Sequence, residues 1–480
     1  MRLVTLLLLF CLHATIALAQ GDEKLPPTVS RALKAAGIPT APTSSAMAIL
    51  VQEVGAASPR LAVNAGVALN PASLMKLLTT LAALETLGPA YTWKTELLSL
   101  AAPVDGVLAG DLILRGSGDP KLTQEQFWLL LKQLRLRGIR EIRGNLILDH
   151  SLFDLGDYDP ARFDDQPLRP YNVGPDALLL NFKAIRVSLI PDAEKRSVLA
   201  LPDPLPANLD VVNLIKLGNN GCGDWKEGLR ADVSRHGERY RLALTGSYSA
   251  SCGEKNWNLS VLPHSAFVAG LFRQTWQDLG GSLIGEARDG KTPPGAKTLA
   301  AIESPSLAEV VRDINKYSNN VMARQLYLTL GLSQRQPTRP EDADRAIRAW
   351  LGSRDLRLPE LVLENGSGLS RRERISAEGL MRVLQTGWKS PVMPEYIASL
   401  PLSAADGTMK KRFANDGGNG VGGRAHIKTG TLEGVKGIAG YVLDRNGKMN
   451  AVVFLVNHAN AGASQAAQDA LLQWVYEGAK

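Results

Sequence analysis

Hydrophobic positions change period along this chain, and the clearest helical run follows Asn70-Pro71-Ala72-Ser73-Leu74-Met75-Lys76. There Leu74, Leu77, Leu78, Leu81, Leu84 and Leu87 recur before Gly88-Pro89. The spacing predicts an amphipathic helix facing a core and ended by the Gly-Pro pair. Upstream, 29–38 reads as a short helix, and 45–54 and 61–69 read as strands joined by Gly55-Ala56-Ala57-Ser58-Pro59. From residue 93 the texture shifts to strand-like runs at 93–98 and 111–114, a helix at 124–136 and a strand at 144–148. A stretch rich in Asp, Pro and Arg at 157–175 precedes short strands and turns over 185–262. Helical periodicity returns at 266–279, 307–330 and 343–351. The chain closes with strands at 424–430, 437–443 and 449–456, a hairpin signal at Asn446-Gly447, and a helix at 464–476 with Ser464 as its N-cap. Helix and strands at one end, and strands and helix at the other, predict one sheet-plus-helix unit closed by both termini. The middle is then an insertion.

Residues 1–19 carry Arg2, an apolar run from Leu3 to Leu12 and Ala17-Leu18-Ala19, the pattern of a secretory signal peptide. No later run reaches the roughly 18 to 20 apolar residues a membrane-spanning helix needs, so no transmembrane segment is expected. Cys11 follows the bulky Phe10, which argues against lipid attachment there. The remaining Cys222 and Cys252 lie in Gly/Ser/Asn-rich surroundings, and an oxidising compartment makes a disulfide the natural reading, with two free thiols as the alternative. The six histidines are scattered without zinc-like spacing, so neither a metal nor a cofactor is expected. At 480 residues the chain has room for two or three domains. Without the signal segment the charge is 53 basic minus 47 acidic, or +6, since Arg2 is lost from 54 and no acid is. Both signs are interspersed and no basic run holds interleaved aromatics, which excludes a nucleic-acid partner.

Gly285-Glu286-Ala287-Arg288-Asp289-Gly290-Lys291-Thr292 matches the phosphate-cradling P-loop string, but Pro293-Pro294 follows where a helix must start, so no nucleotide is expected. Gly418, Gly420 and Gly423 fit a dinucleotide string, yet a strand pattern follows instead of a helix. Three further strings carry chemistry only together. Ser73-x-x-Lys76 places a hydroxyl and an amine on one helical face, although alone it reads as a helix cap and a solvated lysine. Ser318-Asn319-Asn320 interrupts a helical stretch with a hydroxyl and an amide, and alone it is a polar turn. Lys428-Thr429-Gly430-Thr431 ends a strand, and alone it is an edge lysine. S-x-x-K, S-x-N and K-T-G in this order form a serine acyl-transfer set.

On these strings, and on Gly116-Ser117-Gly118-Asp119-Pro120, Gly144-Asn145-Leu146, Asn365-Gly366-Ser367-Gly368-Leu369-Ser370-Arg371 and Asp406-Gly407-Thr408, the chain resembles the penicillin-recognising serine DD-peptidases. It looks most like the penicillin-binding protein 4 group of D-alanyl-D-alanine carboxypeptidases and endopeptidases (class C, low molecular mass). More than two hundred residues separate the first two motifs, and that long insertion marks the group. Asn365 and Asn319 stand where the family often has Asp; neither change removes a side chain assigned to chemistry.

The resemblance implies an α/β (α+β) fold, a transpeptidase/β-lactamase-like domain whose antiparallel sheet is flanked by helices, with large β-rich insertions. It implies a catalytic unit at 20–92 and 264–480, an inserted unit at 93–184 and 257–263, and a β-rich unit nested at 185–256. Ser73 is the implied nucleophile, Lys76 its base and Ser318 the relay to the leaving group. Asn320 would orient Lys76 and the substrate amide, Lys428 and Thr429 would hold the substrate carboxylate, and Gly430 lets the backbone approach. The N–H groups of Ser73 and Thr431 would form the oxyanion hole. Lys428 would also lower the pKa of Lys76, and His426 would be a strand residue rather than a base. Cys222 and Cys252 resemble a disulfide of the inserted region. Peptidoglycan peptides and β-lactams are the implied partners, a homodimer is left open, and the implied location is the periplasm, soluble or loosely held at the membrane. A secreted β-lactamase or esterase with the same Ser-Lys chemistry, and a non-catalytic envelope-binding protein, are the competing classes.

Overall fold

The computed structural model describes residues 24–41, 44–219, 221–415 and 420–478. The expected signal segment and Gly418 lie outside the described residues. The first helix, α1 (Pro27–Ala35), starts on a proline and buries Val29 and Leu33. Strand β1 (Met47–Glu53) follows, then β2 (Leu61–Val63). The strand expected over 61–69 breaks at Asn64, whose φ of 50° ends the extended run and whose amide donates to Ser44 O and Met47 O. Only Ala68–Leu69 resumes it. A short turn at Ala72–Leu74 then feeds α2 (Met75–Leu87), closed by Gly88 at φ 84°. This helix is not amphipathic as expected. Every residue from Met75 to Leu84 is buried, so it runs through the core, with Thr79 and Thr80 bonded to backbone carbonyls.

The insertion contributes β3 (Lys94–Ser99), β4 (Leu112–Arg115), α3 (Gln124–Leu136) and β5 (Leu146–Asp149). A seven-stranded sheet spans residues 185–259, and Cys222 and Cys252 are joined there by a disulfide. Next come α4 (His264–Asp278), β6 (Ala287–Asp289) and β7 (Lys297–Glu303). One five-stranded sheet runs β6-β5-β4-β3-β7. The expected boundary at 264 is therefore too early. Strand β6 pairs with β5, β7 pairs with β3, and Phe267, Phe272 and Trp276 of α4 share a core with Leu97, Leu112 and Leu146, so inserted structure continues through Glu303. Helical periodicity at 266–279 reports an apolar face without saying which core it covers. Likewise the strand Lys255–Leu259 pairs with Ile185–Asp192, so the β-rich sheet ends beyond 256. The P-loop-like string forms β6 and a turn in which Thr292 donates to Asp149; no helix begins at Lys291.

The chain returns through α5 (Leu307–Lys316), α6 (Asn320–Gly331), α7 (Pro340–Ser353), α8 (Ala377–Lys389) and α9 (Met393–Ser399). Three strands follow, β8 (Ala425–Leu432), β9 (Val435–Leu443) and β10 (Met449–Asn457), and α10 (Gln465–Tyr476) ends the chain. They complete an antiparallel sheet ordered β2-β1-β10-β9-β8, so both ends of the chain close it, as expected. One of its faces is covered by α1 and α10, the other by α2 and its neighbours. Ser464 does not cap α10: it is itself helical and its hydroxyl donates back to Ala461 O. Among the described residues no helix is long and apolar enough to cross a membrane, and no three His, Cys, Asp or Glu side chains form a cation-holding group.

Candidate active site

The turn before α2 is built by Asn70. Its Oδ1 accepts from Ala72 N at 2.9 Å, and its Nδ2 donates to Ser370 O at 2.8 Å, while Ala72 takes a φ of 47°. Ser73 is thereby delivered to the head of α2. Three residues on, the buried Lys76 Nζ donates to Ser73 Oγ at 3.0 Å, to Asn320 Oδ1 at 2.6 Å and, in a shorter bond, to Ser367 O. Three acceptors suit an ammonium. Once the proton is lost, Asn320 and Ser367 still fix two N–H bonds, and the lone pair is left facing Ser73 Oγ. That is the geometry a base for the hydroxyl needs.

Between α5 and α6 the chain kinks at Ser318, whose φ is 55°. Asn319 accepts from Met322 N at 3.1 Å as the N-cap of α6, so Asn320 opens the helix with its amide on Lys76. Lys428 rises from β8, buried, and its Nζ donates to Ser318 Oγ at 2.9 Å and Thr429 O at 2.8 Å. The hydroxyls of Thr429 and Thr408 lie 2.8 Å apart. A Cβ at Gly430 would come within 2.7 Å of Pro71 O, so glycine lets the end of β8 rest on the Ser73 turn. Thr431 is exposed and faces Lys436 in the β8–β9 register. All three predicted strings thus meet at one place.

Electrostatics follow from burial. Lys76 is held well below its ordinary range, first by desolvation, then by Lys428 and Arg324, with Glu373 opposing. Lys428 is pushed down to about 7 by burial. His426 lies on β8 two residues before Lys428; burial and Lys316 lower its pKa, and no described hydrogen bond links it to Ser73, Lys76 or Ser318.

Several groups at the site were given no role from the sequence, although Ser367, Asp406 and Thr408 lie in the strings that carry the resemblance. Ser367 acts through its carbonyl, which no residue letter announces. Glu373 lies just past the Asn365–Arg371 string. Lys316 Nζ pairs with Asp406 Oδ2 at 2.7 Å, tying the end of α5 to the turn that carries Thr408. Beside this centre a cavity of about 360 Å³ is lined by Tyr158, Phe163, Arg324, Glu364, Asn365 and Arg371, joining the inserted region to the Ser367 loop.

The family model of the D-Ala-D-Ala carboxypeptidase 3 (S13) family matches residues 34–477. A D-alanyl-D-alanine carboxypeptidase of Actinomadura sp. (strain R39) is 28% identical over 431 residues, covering 85% of this chain and 77% of its own. The D-alanyl-D-alanine carboxypeptidase DacB of Haemophilus influenzae is 24% identical over 400 residues, covering 82% of this chain and 81% of its own. In structure, penicillin binding protein 4 of H. influenzae aligns with a TM-score of 0.75 at 22% identity, over 93% of this chain and 99% of that one. A predatory endopeptidase of Bdellovibrio bacteriovorus in complex with an immunity protein aligns with a TM-score of 0.53 at 15% identity, over 90% and 92%. These two likenesses establish the fold.

Proposed function

This chain belongs to the D-Ala-D-Ala carboxypeptidase 3 (S13) family and is a hydrolase of that class, and from that premise we propose how its own residues perform the reaction. Ser73 attacks the carbonyl of the penultimate D-alanine as Lys76 takes its proton. The terminal D-alanine leaves with a proton relayed through Ser318, and water releases the acyl group from Ser73. Lys428 and Thr429 bind the terminal carboxylate, Asn320 holds Lys76 and the substrate amide, and the N–H groups of Ser73 and Thr431 stabilise the oxyanion. Loss of such an oxyanion donor typically costs about 10²- to 10³-fold in rate. Gly430 keeps the strand close enough for this. The observation that carries the reading is a pair of buried lysines, each hydrogen-bonded to a serine hydroxyl, assembled from three distant segments.

The same site would open cross-links as a DD-endopeptidase, since the adjoining cavity gives a second peptide strand room to lie against the inserted residues. Acylation by β-lactams belongs to the reading too. So does a periplasmic location, which the signal-like pattern of residues 1–19 and the disulfide support, and so does a division into a catalytic unit and nested insertions with the return set after Glu303. Ser73→Ala is expected to abolish both release of D-alanine from a pentapeptide and labelling by fluorescent penicillin; retention of either sinks the assignment. Rapid turnover of the penicillin, instead of a long-lived adduct, would favour a β-lactamase. Product masses from cross-linked muropeptides and from free pentapeptide would separate endopeptidase from carboxypeptidase action.

A further inference from the structure

Glu373 follows the Ser367 loop and has no exposed surface. Its Oε1 accepts three backbone N–H bonds, from Glu364 at 3.1 Å and from Asn365 and Gly366 at 2.9 Å each. Its Oε2 is buried and has no hydrogen-bond partner among the described residues. The loop it gathers presents Ser367 O to Lys76 Nζ. That loop is also fastened to α2 from outside. Thr79 Oγ1 donates to Gly366 O at 2.7 Å, and Gly368, at φ 81°, lies where a Cβ would overlap Ala72 O.

A loop anchor alone would not need a charge, because a glutamine carbonyl accepts the same N–H bonds without the several kcal/mol that burying an ion costs. Cations face this carboxylate from two elements, Lys76 on α2 and Arg324 on α6, and Tyr327 on α6 senses it as well. Burial raises the Glu373 carboxyl, while the three N–H bonds and Lys76 favour its ionised form. Around Lys76, burial first and then Lys428 and Arg324 drive the proton off, and Glu373 holds it on.

We propose that Glu373 is a positioning residue for the serine–lysine reaction: it holds the backbone that offers the Ser367 carbonyl to Lys76, and it is the buried anion against which the Lys76 ammonium is balanced. During the cycle the proton leaves Ser73 Oγ, resides on Lys76 Nζ and passes on toward the leaving group. A fixed carboxylate stabilises the protonated interval, and two fixed acceptors keep the lone pair on Ser73 when the proton is gone. This inference rests on the reading of Lys76 as the base.

The test is the pH dependence of the second-order rate of acylation by fluorescent penicillin, with thermal melts to establish folding. Labelling of the parent that Ser73→Ala abolishes secures the underlying reading first; an unlabelled parent sinks that reading and this one with it. Glu373→Gln keeps an acceptor and removes the charge, so the pKa of Lys76 falls and the acid limb should move to lower pH, with a plateau within about threefold of the parent. Glu373→Asp keeps the charge one methylene further off, and its limb should stay nearer the parent's. Glu373→Ala should lower the plateau about tenfold or more. An acid limb that stays in place, or moves upward, in folded Glu373→Gln overturns the proposal, even if Glu373→Ala loses activity, because a purely structural anchor gives that pattern.

Discussion

Two lysines without exposed surface share this site, and among the described residues neither has an ion-paired carboxylate of its own within hydrogen-bond reach. The unfavourable burial of two like charges is what makes one of them available as an amine. Replacing Lys428 with methionine removes a cation that lowers the pKa of Lys76, so the acid limb of acylation should shift to higher pH, opposite in sign to Glu373→Gln. Loss of a charged hydrogen bond of about 1.5–3 kcal/mol should also weaken capture of the substrate carboxylate by roughly tenfold to a hundredfold; an unchanged profile would contradict the electrostatic link. Stability carries the same signature. Lys428 titrates at about 7 in the fold against 10.5 in the free chain, so between those values the unfolded state binds more protons and stability rises with pH. Denaturant melts across that window should rise less steeply for Lys428→Met. At this scale the meeting of Ser73, Lys76, Ser318, Asn320, Lys428 and Thr429 was legible, because each is joined to the cluster by a side chain whose chemistry its letter declares. Ser367, which acts through its carbonyl, and Glu373, which acts on the backbone and at a distance, were not.

Among the elements, α2 and the loop laid over its first turn decide whether those side chains meet. Gly366 and Gly368 both have positive φ, at 66° and 81°; a side chain at Gly366 would collide with Tyr327 and with Thr79 of α2, and one at Gly368 with the Ala72–Ser73 backbone of the turn before α2. Gly368→Ala should therefore cost about 1–3 kcal/mol, the usual penalty of overpacking, and should pull Ser367 O away from Lys76. A guanidinium melt and penicillin labelling would check both, and a fully active, equally stable variant would mean that the loop can shift without consequence. The break between α5 and α6 was readable, because Ser318-Asn319-Asn320 interrupts an apolar period and Asn319 is a good cap. The α3 helix was readable at both ends, opening just after the Thr123 cap. The fate of α4 was not, since α4 and α5 both carry apolar residues at helical spacing yet cover different cores. Ser464 misled for a related reason: a capping residue type at a helix start says nothing of a preceding turn that already supplies the bonds.

At the scale of the whole molecule, the sheet that carries β8 is closed by β1 pairing with β10 across the length of the chain, and the inserted structure grows out between α2 and α5. The core around α2 and the core of the insertion are separate clusters. Cys252 belongs to the second, and its bond to Cys222 closes 30 residues within the β-rich sheet. A loop of that length is worth about 3–4 kcal/mol if the bond acts by restricting the unfolded chain. Because the cores are distinct, the double variant Cys222→Ser, Cys252→Ser should lose protection in the 185–259 sheet by hydrogen exchange while Ser73 is acylated at the parent's rate. The contrary outcome is as informative. A fall in acylation that tracks the loss of protection would mean that the two cores unfold as one, with the coupling carried where α6 meets the inserted segment. The contacts there are specific: Arg324 donates to Val173 O at 2.9 Å and to Tyr158 at 2.8 Å, and Gln325 exchanges bonds with the Asp176 backbone. Since α6 also carries Asn320, strain in the insertion would then reach Lys76 through a single helix.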